Sequence, residues 1–367
     1  MKKEQSPFYS LENIKKKKCI YNLIFGERSN GKSYACLEEI MKRYLATGEQ
    51  GAIIRRWADD FKGGLSQQMW DNLVANGCLA ESEWEGVFYQ SGKFFLYKWD
   101  EKLNKRVLAP EPMCYAFALN TATRYKSTSY PKITTVLFDE FLDRNGYISG
   151  EFVDFMSIIS TIVRHRTNVT IYMCGNTVTK NCPYFIEMGL TNVKNQKQGT
   201  IDVYHYGNSE LTVAVEYCGS KPSEIKGSDK YFAFDNPQLQ MITSGAWEMA
   251  LYPHCPCTYG KKDIIFTYFI EWEGDVLQCE IINKEGDLFT FIHRKTTPYK
   301  DEDSELIFTK EISHKRNRIM RINAGGPRVS KIFSFFQKDK VFYQDNEVGE
   351  IVRSYLQFCR GQSIIKS

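Results

Sequence analysis

A glycine-flanked loop containing a lysine and a serine is the first part of the chain whose residue types and spacing indicate chemistry. Residues 26–33 read Gly-Glu-Arg-Ser-Asn-Gly-Lys-Ser and match the phosphate-binding pattern G-x-x-x-x-G-K-S. Glycines let successive backbone N–H groups face a β-phosphate, Lys32 adds a mobile positive charge, and the Ser33 hydroxyl is a ligand for Mg²⁺. The predicted nucleotide-binding residues of this loop are Gly26, Glu27, Arg28, Ser29, Asn30, Gly31, Lys32, Ser33 and Tyr34.

Two carboxylates at the end of an apolar run complete this pattern. Residues 134–140 read Thr-Thr-Val-Leu-Phe-Asp-Glu, which predicts a strand that ends in Asp139 and Glu140. We expect Asp139 to hold Mg²⁺ together with Ser33, and Glu140 to orient and deprotonate the water that attacks ATP. The alternative is a solvated strand end without chemistry. With both motifs present, the sequence predicts an ATPase that uses ATP and Mg²⁺.

Polar residues also follow two other predicted strands. Arg55 and Arg56 end the run that starts at Gly51, where they would steady the nucleotide or a neighbouring acidic group, or face solvent. Asn176 follows the run at residues 169–175, where its amide can sense a γ-phosphate. The alternative for Asn176 is an ordinary turn residue.

The segments around these residues predict how a sheet is built. Residues 19–25 and 134–139 are apolar runs typical of buried strands, and apolar spacing predicts helices after Lys32 and over residues 150–166. Residues 87–98 predict a β-hairpin inserted between the two motifs. The predicted fold class is α/β, with a P-loop ATPase domain of the ASCE type, built on a central, mostly parallel sheet, over residues 1–191.

The rest of the chain predicts a second, smaller domain. A chain of 367 residues exceeds one ordinary core. Residues 192–230 are polar and contain glycines, so we expect a linker or small subdomain there. Residues 231–367 predict an α+β domain. Its expected elements are antiparallel strands at 263–269, 276–282 and 287–292 and a terminal helix at 348–358.

Composition narrows the compartment and the partners. The net charge of +4 is modest, so contacts with nucleic acid would come from local basic segments at 15–18 and 314–318 with Arg321, unless these face solvent. No apolar run reaches membrane-spanning length, which predicts a soluble intracellular protein without membrane contact. The eleven cysteines are typical of reduced thiols, and residues 254–257 (His-Cys-Pro-Cys) are half a zinc pattern or a free-thiol turn.

Short segments along the chain carry a likeness to a known family. They are residues 26–34, 54–56, 126–131 (Lys-Ser-Thr-Ser-Tyr-Pro), 136–141, 163–166 (Val-Arg-His-Arg), 181–185 (Asn-Cys-Pro-Tyr-Phe) and 234–236 (Phe-Asp-Asn). In their order the chain resembles, over nearly its whole length, the DNA-encapsidation ATPases of phi-twenty-nine-type podoviruses. The acidic strand, the Arg-x-Arg helix end and the Tyr-Pro element are the specific part, because the phosphate loop alone identifies no family.

The resemblance implies a function and a shared active site. It implies an ATP-driven motor that translocates double-stranded viral DNA through the portal into a preformed capsid, in the host cytoplasm and transiently at the portal vertex. Arg164 matches an arginine finger that reaches a neighbouring subunit's ATP, Lys126 matches a lysine acting across the same interface, and Glu140 matches the catalytic base. The implied assembly is a homo-oligomeric ring, a pentamer, on the portal or connector. The best-known members also have a packaging RNA as a partner.

The resemblance also implies an RNase H-like second domain that has lost its catalytic acids. The candidate carboxylates in this region are Asp263, Glu271, Glu273 and Asp275, of which 273–275 read first as a hairpin turn. A two-metal nuclease needs carboxylates that converge from separate strands. We therefore expect no nuclease activity.

Two other functions fit parts of the pattern. A helicase or another nucleic-acid-remodelling P-loop ATPase would share both phosphate motifs, but it needs strand-separating motifs that the sequence does not show. A nucleotide-gated structural or adaptor protein would bind ATP without hydrolysing it. The carboxylate of Glu140 and the guanidinium of Arg164 disfavour this last class.

Overall fold

The chain folds into two units, Met1–Glu248 and Met249–Ser367. The computed structural model describes residues 8–126, 128–143, 147–148, 150–177, 182–219 and 251–360. None of the helices in these ranges combines the length and the apolar composition of a membrane-spanning segment. The expected domain start at 231 and the segment 234–236 lie outside the described residues.

A large mixed sheet forms the centre of the first unit. Its strands are β1 (Tyr21–Gly26), β2 (Gln50–Arg55), β3 (Gly86–Gln90), β4 (Lys93–Asp100), β5 (Lys105–Leu108), β6 (Cys114–Ala118), β7 (Ile133–Asp139), β8 (Thr170–Asn176), β9 (Thr200–His205) and β10 (Thr212–Tyr217). The order is β3-β4-β6-β2-β7-β8-β1-β10-β9, with β5 paired to β4. From β6 to β10 along this order, neighbouring strands are parallel. The predicted central, mostly parallel sheet is confirmed.

Helices cover both faces of this sheet. They are α1 (Glu12–Lys15), α2 (Lys32–Thr47), α3 (Leu65–Ala75), α4 (Glu151–Val163) and α5 (Pro183–Glu187), with short 3₁₀ helices at Ala58–Phe61, Leu119–Tyr125 and Val193–Asn195. Phe25 of β1 packs in one core with Phe155 of α4, whereas Ile24 packs in the other core with Leu37 of α2. Because both faces are covered, β1 and β7 are buried along their whole length, which is why their sequences are continuous apolar runs.

The predicted hairpin is the pair β3 and β4. Its turn residues Ser91 and Gly92 have φ angles of 49° and 78°. Two successive positive φ angles give a tight turn whose twist matches the twist of the flanking strands. The hairpin prediction is confirmed, and β4 joins it to the main sheet through β6.

The segment at residues 192–219 differs from the expected linker. It contains β9 and β10, and β10 pairs in parallel with β1, with Glu216 opposite Ile24. The composition is polar because β9 is an edge strand whose side chains are mostly partly or fully exposed. The partner of β10 lies almost the length of the unit away in sequence, so a local pattern does not reveal the pairing. This segment therefore contributes two strands to the large sheet of the first unit.

A second, smaller sheet lies in Met249–Ser367. Its strands are β11 (Ile264–Trp272), β12 (Asp275–Lys284), β13 (Asp287–Arg294), β14 (Ile307–Phe308), β15 (Arg318–Ile319) and β16 (Val341–Tyr343), preceded by a 3₁₀ helix at Lys261–Asp263. The strands β11, β12 and β13 form the predicted antiparallel meander, and β14 and β15 continue it in parallel from β11. Without the edge strand β16, this is the 3-2-1-4-5 strand order of the RNase H-like fold. The predicted fold of this unit is confirmed.

Two helices pack on the second sheet. They are α6 (Pro327–Gln337) and α7 (Asn346–Arg360). Helix α7 extends the predicted terminal helix by a few residues, and its Val348, Ile351 and Tyr355 are buried with Tyr268 of β11. Helix α6 is not among the elements predicted from the sequence.

Candidate nucleotide-binding site

The phosphate loop joins the end of β1 to the start of α2. Gly26 has φ 151°, and a Cβ at this position would lie 3.0 Å from the Cβ of Cys218, so a side chain here would be both strained and crowded. Gly31 has φ 91° and immediately precedes the first helical residue, Lys32. The two glycines thus shape a tight connection whose last residues lead directly into the N-terminus of a 16-residue helix. Such a terminus favours phosphate through its amides and dipole.

The Lys32 side chain folds back over this loop. Only 5% of the residue is exposed. Its ammonium donates to the Glu27 carbonyl at 2.6 Å and to Asn30 Oδ1 at 3.0 Å, and it lies 3.4 Å from Asn176 Oδ1. Burial lowers the pKa of Lys32. The loop lysine and the predicted γ-phosphate sensor are therefore neighbours in the fold.

Parallel register brings the acidic strand end beside the loop. Strands β1, β8 and β7 are adjacent and parallel, so their carboxyl ends meet at one edge of the sheet. There the Ser33 hydroxyl donates to Asp139 Oδ1 at 2.5 Å. A hydroxyl oxygen and a carboxylate oxygen are the ligand types that Mg²⁺ prefers. The chemistry and placement of Ser33 and Asp139 fit a magnesium site.

Glu140 stands one residue beyond β7 in an unusual backbone conformation. Its φ is 61°, in the left-handed region that non-glycine residues rarely occupy. Its side chain is 64% exposed, in contrast to the nearly buried Asp139. Arg55 reaches both carboxylates, with an ion pair to Asp139 and a 3.4 Å contact from Nη1 to Glu140 Oε2. Arg55 therefore contacts neighbouring acidic groups, which is one of the roles that the sequence suggested for it.

Arg56 organises the chain that follows Glu140. Its guanidinium donates to both Glu151 carboxylate oxygens at 2.8 Å and to the Glu140 and Phe141 carbonyls at 3.2 and 3.1 Å. Glu151 is also bonded by the Tyr184 hydroxyl at 2.9 Å. Burial alone would lower the pKa of Arg56, but the hydrogen bonds and charge of Glu151 raise it above its usual value. The buried pair fixes the loop in which Glu140 stands.

Sequence reasoning did not identify Glu151 and Tyr184 as part of this site. The available signals were a second arginine at a strand end and a glutamate in the first turn of a helix whose apolar face is buried. Neither signal identifies the partner, because 95 positions separate Arg56 from Glu151.

An open cavity of about 380 Å³ lies at this edge of the sheet. It is lined by the predicted residues Ser29, Asn30, Gly31, Lys32, Ser33, Tyr34, Asp139, Glu140 and Asn176. Helix α3 contributes Gln68, Met69 and Asn72, which the sequence analysis did not single out. The predicted residues Gly26, Glu27 and Arg28 belong to the same loop but are outside this lining. Loop, carboxylates and polar strand ends therefore converge on one space.

Arg164 and Lys126 are not brought into this cavity. Helix α4 crosses from the carboxyl end of β7 to the start of β8, and its 13 residues span about 20 Å. Arg164 follows it in the left-handed conformation, with φ 35°, and donates to the Thr128 carbonyl at 2.9 Å. Lys126, two residues before Thr128, is exposed. Both cations therefore lie at the sheet edge opposite their own phosphate loop.

Arg166 secures this opposite edge. Its guanidinium donates to four backbone carbonyls, those of Tyr130, Pro131, Ile133 and Ile162, at 2.7 to 3.1 Å. These bonds join the end of α4 to the segment that precedes β7. They lie beside the exposed Arg164, which donates to the Thr128 carbonyl of the same segment.

Each candidate carboxylate of the second unit forms an ion pair with a lysine or an arginine. Asp263 pairs with Lys284 at 3.3 Å, Glu273 with Lys310 at 2.9 Å and Asp275 with Arg294 at 2.5 Å. Glu271 accepts from Arg318 at 2.7 and 3.2 Å and from the Tyr299 hydroxyl at 2.8 Å. In the described part of the chain, no group of three acidic, histidine or cysteine residues is placed to hold a metal, residues 254–257 included.

The two basic segments are differently engaged. Residues 15–18 are exposed, and Lys15 pairs with Glu39 at 2.8 Å. In the segment at 314–318, Lys315 pairs with Asp303 and Arg318 with Glu271 and Glu302. These acidic partners reduce the positive charge available to a phosphate at that second segment.

The parallel sheet, the phosphate loop and the adjacent carboxylates define a P-loop NTPase fold. The family model "Podovirus DNA encapsidation protein (Gp16)" matches residues 3–221, more than half of the chain. The chain belongs to this family. The resemblance read from the sequence motifs is thereby confirmed.

Individual relatives support the same placement. The DNA packaging protein of Bacillus phage B103 is 30% identical over 183 residues, 48% of this chain and 50% of that protein, so the chain matches about half the length of this curated relative. The structure of "The bacteriophage Phi-29 viral genome packaging motor assembly" covers 97% of this chain and all of the matched chain, with TM-score 0.60 and 18% identity. The structure of "The Phi-28 gp11 DNA packaging Motor" covers 97% and 99%, with TM-score 0.56 and 17% identity. These likenesses show the fold over both units.

Proposed function

We propose that this protein is an ATP-driven motor that translocates double-stranded viral DNA through a portal into a preformed capsid. The observation that carries the proposal is the contact of Ser33 with Asp139 directly beside the exposed carboxylate of Glu140. Two residues suited to hold Mg²⁺ and a candidate base line one cavity, which supports a role in ATP hydrolysis. Membership of the DNA encapsidation family supports the coupling of this hydrolysis to DNA movement.

The residues divide the chemistry between them. Lys32 and the loop amides would hold the β- and γ-phosphates, while Ser33 and Asp139 would hold Mg²⁺, which neutralises charge on the phosphate oxygens. Glu140 would take a proton from the attacking water, since its side chain is exposed to the cavity. The guanidinium of Arg55 contacts both adjacent carboxyl groups and so places a positive charge beside them.

The position of Arg164 supports catalysis shared between subunits. Arg164 follows the end of a helix about 20 Å long that starts beyond the Glu140 loop, and it does not line the cavity of its own subunit. It can reach a neighbour's site if subunits form a ring, with Lys126 on the same surface. We therefore propose that Arg164 and Lys126 act in trans in a homo-oligomeric ring at the portal vertex, for which the family resemblance implies a pentamer.

Mixing two inactive variants tests this mechanism. Glu140→Gln and Arg164→Ala subunits should each hydrolyse ATP poorly, whereas mixed assemblies contain some interfaces with an intact base and an intact finger. Hydrolysis and DNA packaging into capsids should reappear as the two are combined. Demonstrated co-assembly without any recovered hydrolysis would refute the shared site. Full activity of an isolated monomer would refute it as well.

We propose that the second unit binds DNA or other packaging components, which can include a packaging RNA, and does not cut DNA. Its carboxylates are held by lysines and arginines and do not converge on a common metal position among the described residues. Incubating the full chain with supercoiled DNA and Mg²⁺ or Mn²⁺ should leave the DNA closed. Metal-dependent nicking that Glu271→Gln abolishes would show the opposite.

A further inference from the structure

The segment before α1 lies directly against the phosphate loop. The Tyr9 N–H donates to the Asn30 carbonyl at 2.8 Å. A Cβ added to Gly31 would come within 3.2 Å of the Phe8 Cβ, which shows how closely the two backbones approach. Leu11 and Ile14, next along the chain, are buried in the core that α2 also enters. The segment is thus anchored at the side of the loop.

The side chain of Tyr9 reaches past the loop to the sheet. Its hydroxyl donates to Glu216 Oε2 at 2.6 Å across 207 positions of sequence. Glu216 lies on β10, opposite Ile24 of β1, the strand that leads into the loop. Burial raises the pKa of the Glu216 carboxyl, and burial together with Glu216 raises the pKa of Tyr9. The partly buried carboxyl of Glu216 therefore accepts a hydrogen bond from a residue that also contacts the loop.

Asn30 connects this arrangement to the phosphate-binding lysine. Its backbone carbonyl accepts from Tyr9, while its side-chain Oδ1 accepts from Lys32 Nζ at 3.0 Å. A shift of Tyr9 would displace Asn30 and, with it, the resting position of the lysine. Tyr9 therefore acts on the loop from outside the cavity.

We propose that Tyr9 is a positioning residue for the phosphate loop, which it holds ready for nucleotide through its bonds to Asn30 and Glu216. The inference rests on the proposed binding of ATP by this loop. A loop already ordered before binding loses less conformational freedom when phosphate arrives, so the bond between Tyr9 and Glu216 strengthens nucleotide binding. Because Tyr9 is not among the residues that line the cavity with Glu140, the rate of hydrolysis of bound ATP should change little.

Removing one hydroxyl tests the proposal. In the full chain, Tyr9→Phe should weaken binding of a fluorescent ATP analogue and raise KM for ATP by about tenfold, the scale of one charge-assisted hydrogen bond. The turnover number should stay within about twofold of the parent. Glu216→Gln, which keeps an acceptor oxygen for the tyrosine, should lose much less affinity. Tyr44→Phe is the matched control, because its hydroxyl bonds the Glu111 carbonyl near the far end of α2.

Hydrogen exchange of the loop amides separates a local effect from a loss of global stability. A global loss would raise exchange rates throughout the fold and not only in the loop. Without nucleotide, the amides at 30–33 should exchange faster in Tyr9→Phe than in the parent, while those of β7 stay protected. Parental affinity and parental exchange in Tyr9→Phe would overturn the proposal. Lys32→Ala separates this outcome from failure of the loop assignment: if it binds the analogue like the parent, nucleotide binding by the loop itself is wrong.

Discussion

The carboxylates of the two units differ in what surrounds them. In the first unit, Asp139 contacts a serine hydroxyl and an arginine at the edge of a cavity, and Glu140 is largely exposed to it. In the second unit, both oxygens of Glu271 are occupied by Arg318. Acidic residues on strands are common to both sheets. Both oxygens of Asp139 also have partners, Ser33 and Arg55, so the difference between the units lies in Glu140, whose side chain is 64% exposed and lines the cavity.

Substituting one carboxylate in each unit should give the largest difference between the two units. Glu140→Gln removes the base while keeping the shape, so ATP hydrolysis should fall by about 10²- to 10⁴-fold. Nucleotide binding should persist, since Lys32 and the loop are intact. The matched control is Glu271→Gln, which should hydrolyse ATP like the parent. Steady-state phosphate release and analogue binding measure both effects, and a parental rate in Glu140→Gln would show that the base is misassigned.

We expect the buried pair of Arg56 and Glu151, near Glu140, to contribute to stability and not to catalysis. Arg56→Ala leaves the Glu151 carboxylate, whose side chain is 1% exposed, without its charge partner. The free energy of unfolding should fall by about 3 kcal/mol. Lys132→Ala breaks the exposed pair with Glu111 and should cost less than about 0.5 kcal/mol. Urea unfolding of the full chain compares the two, and equal losses would contradict the structural role of Arg56.

The smallest expected effect is a pH dependence in the second unit. The Glu280 carboxylate, 3.6 Å from His293 Nε2, raises the pKa of His293, and the pKa of Glu280 falls to about 2 because its contacts with His293 and Tyr259 outweigh burial. A raised histidine pKa stabilises the fold below the unfolded value of about 6.5, and this contribution disappears as pH rises through the folded pKa.

The unfolding midpoint of the parent should therefore drop between about pH 6 and about pH 8 by more than that of His293→Gln. The difference corresponds to less than about 1 kcal/mol. His254→Gln, at an exposed position, should follow the parent. Parallel curves for the parent and His293→Gln would mean that the pair with Glu280 does not contribute. Glu280 itself should lose its contribution only in acid, as pH falls toward about 2.

Local patterns predicted the parts of the fold that local physics decides. The loop at 26–33, the apolar strands and the hairpin turns each depend on a few consecutive residues, and the structure has them where the sequence indicated. The pairing of β10 with β1 and the contact of Arg56 with Glu151 depend on residues far apart in the chain. A polar edge strand and a glutamate in a helical first turn have ordinary local explanations, so their roles became visible only in three dimensions.

Helix α4 also fixes the separation between the loop that contains Glu140 and Arg164. It begins after the loop that contains Glu140 and ends at Arg164, which Arg166 and Thr128 fasten to the base of β7. Because α4 is one continuous helix about 20 Å long, a tilt at its start would displace Arg164 at its end. If Arg164 completes a neighbour's site, each subunit reports the state of its own carboxylate loop to the next through this helix. The order in which neighbouring subunits hydrolyse ATP would then depend on the length and orientation of α4 as well as on ATP concentration.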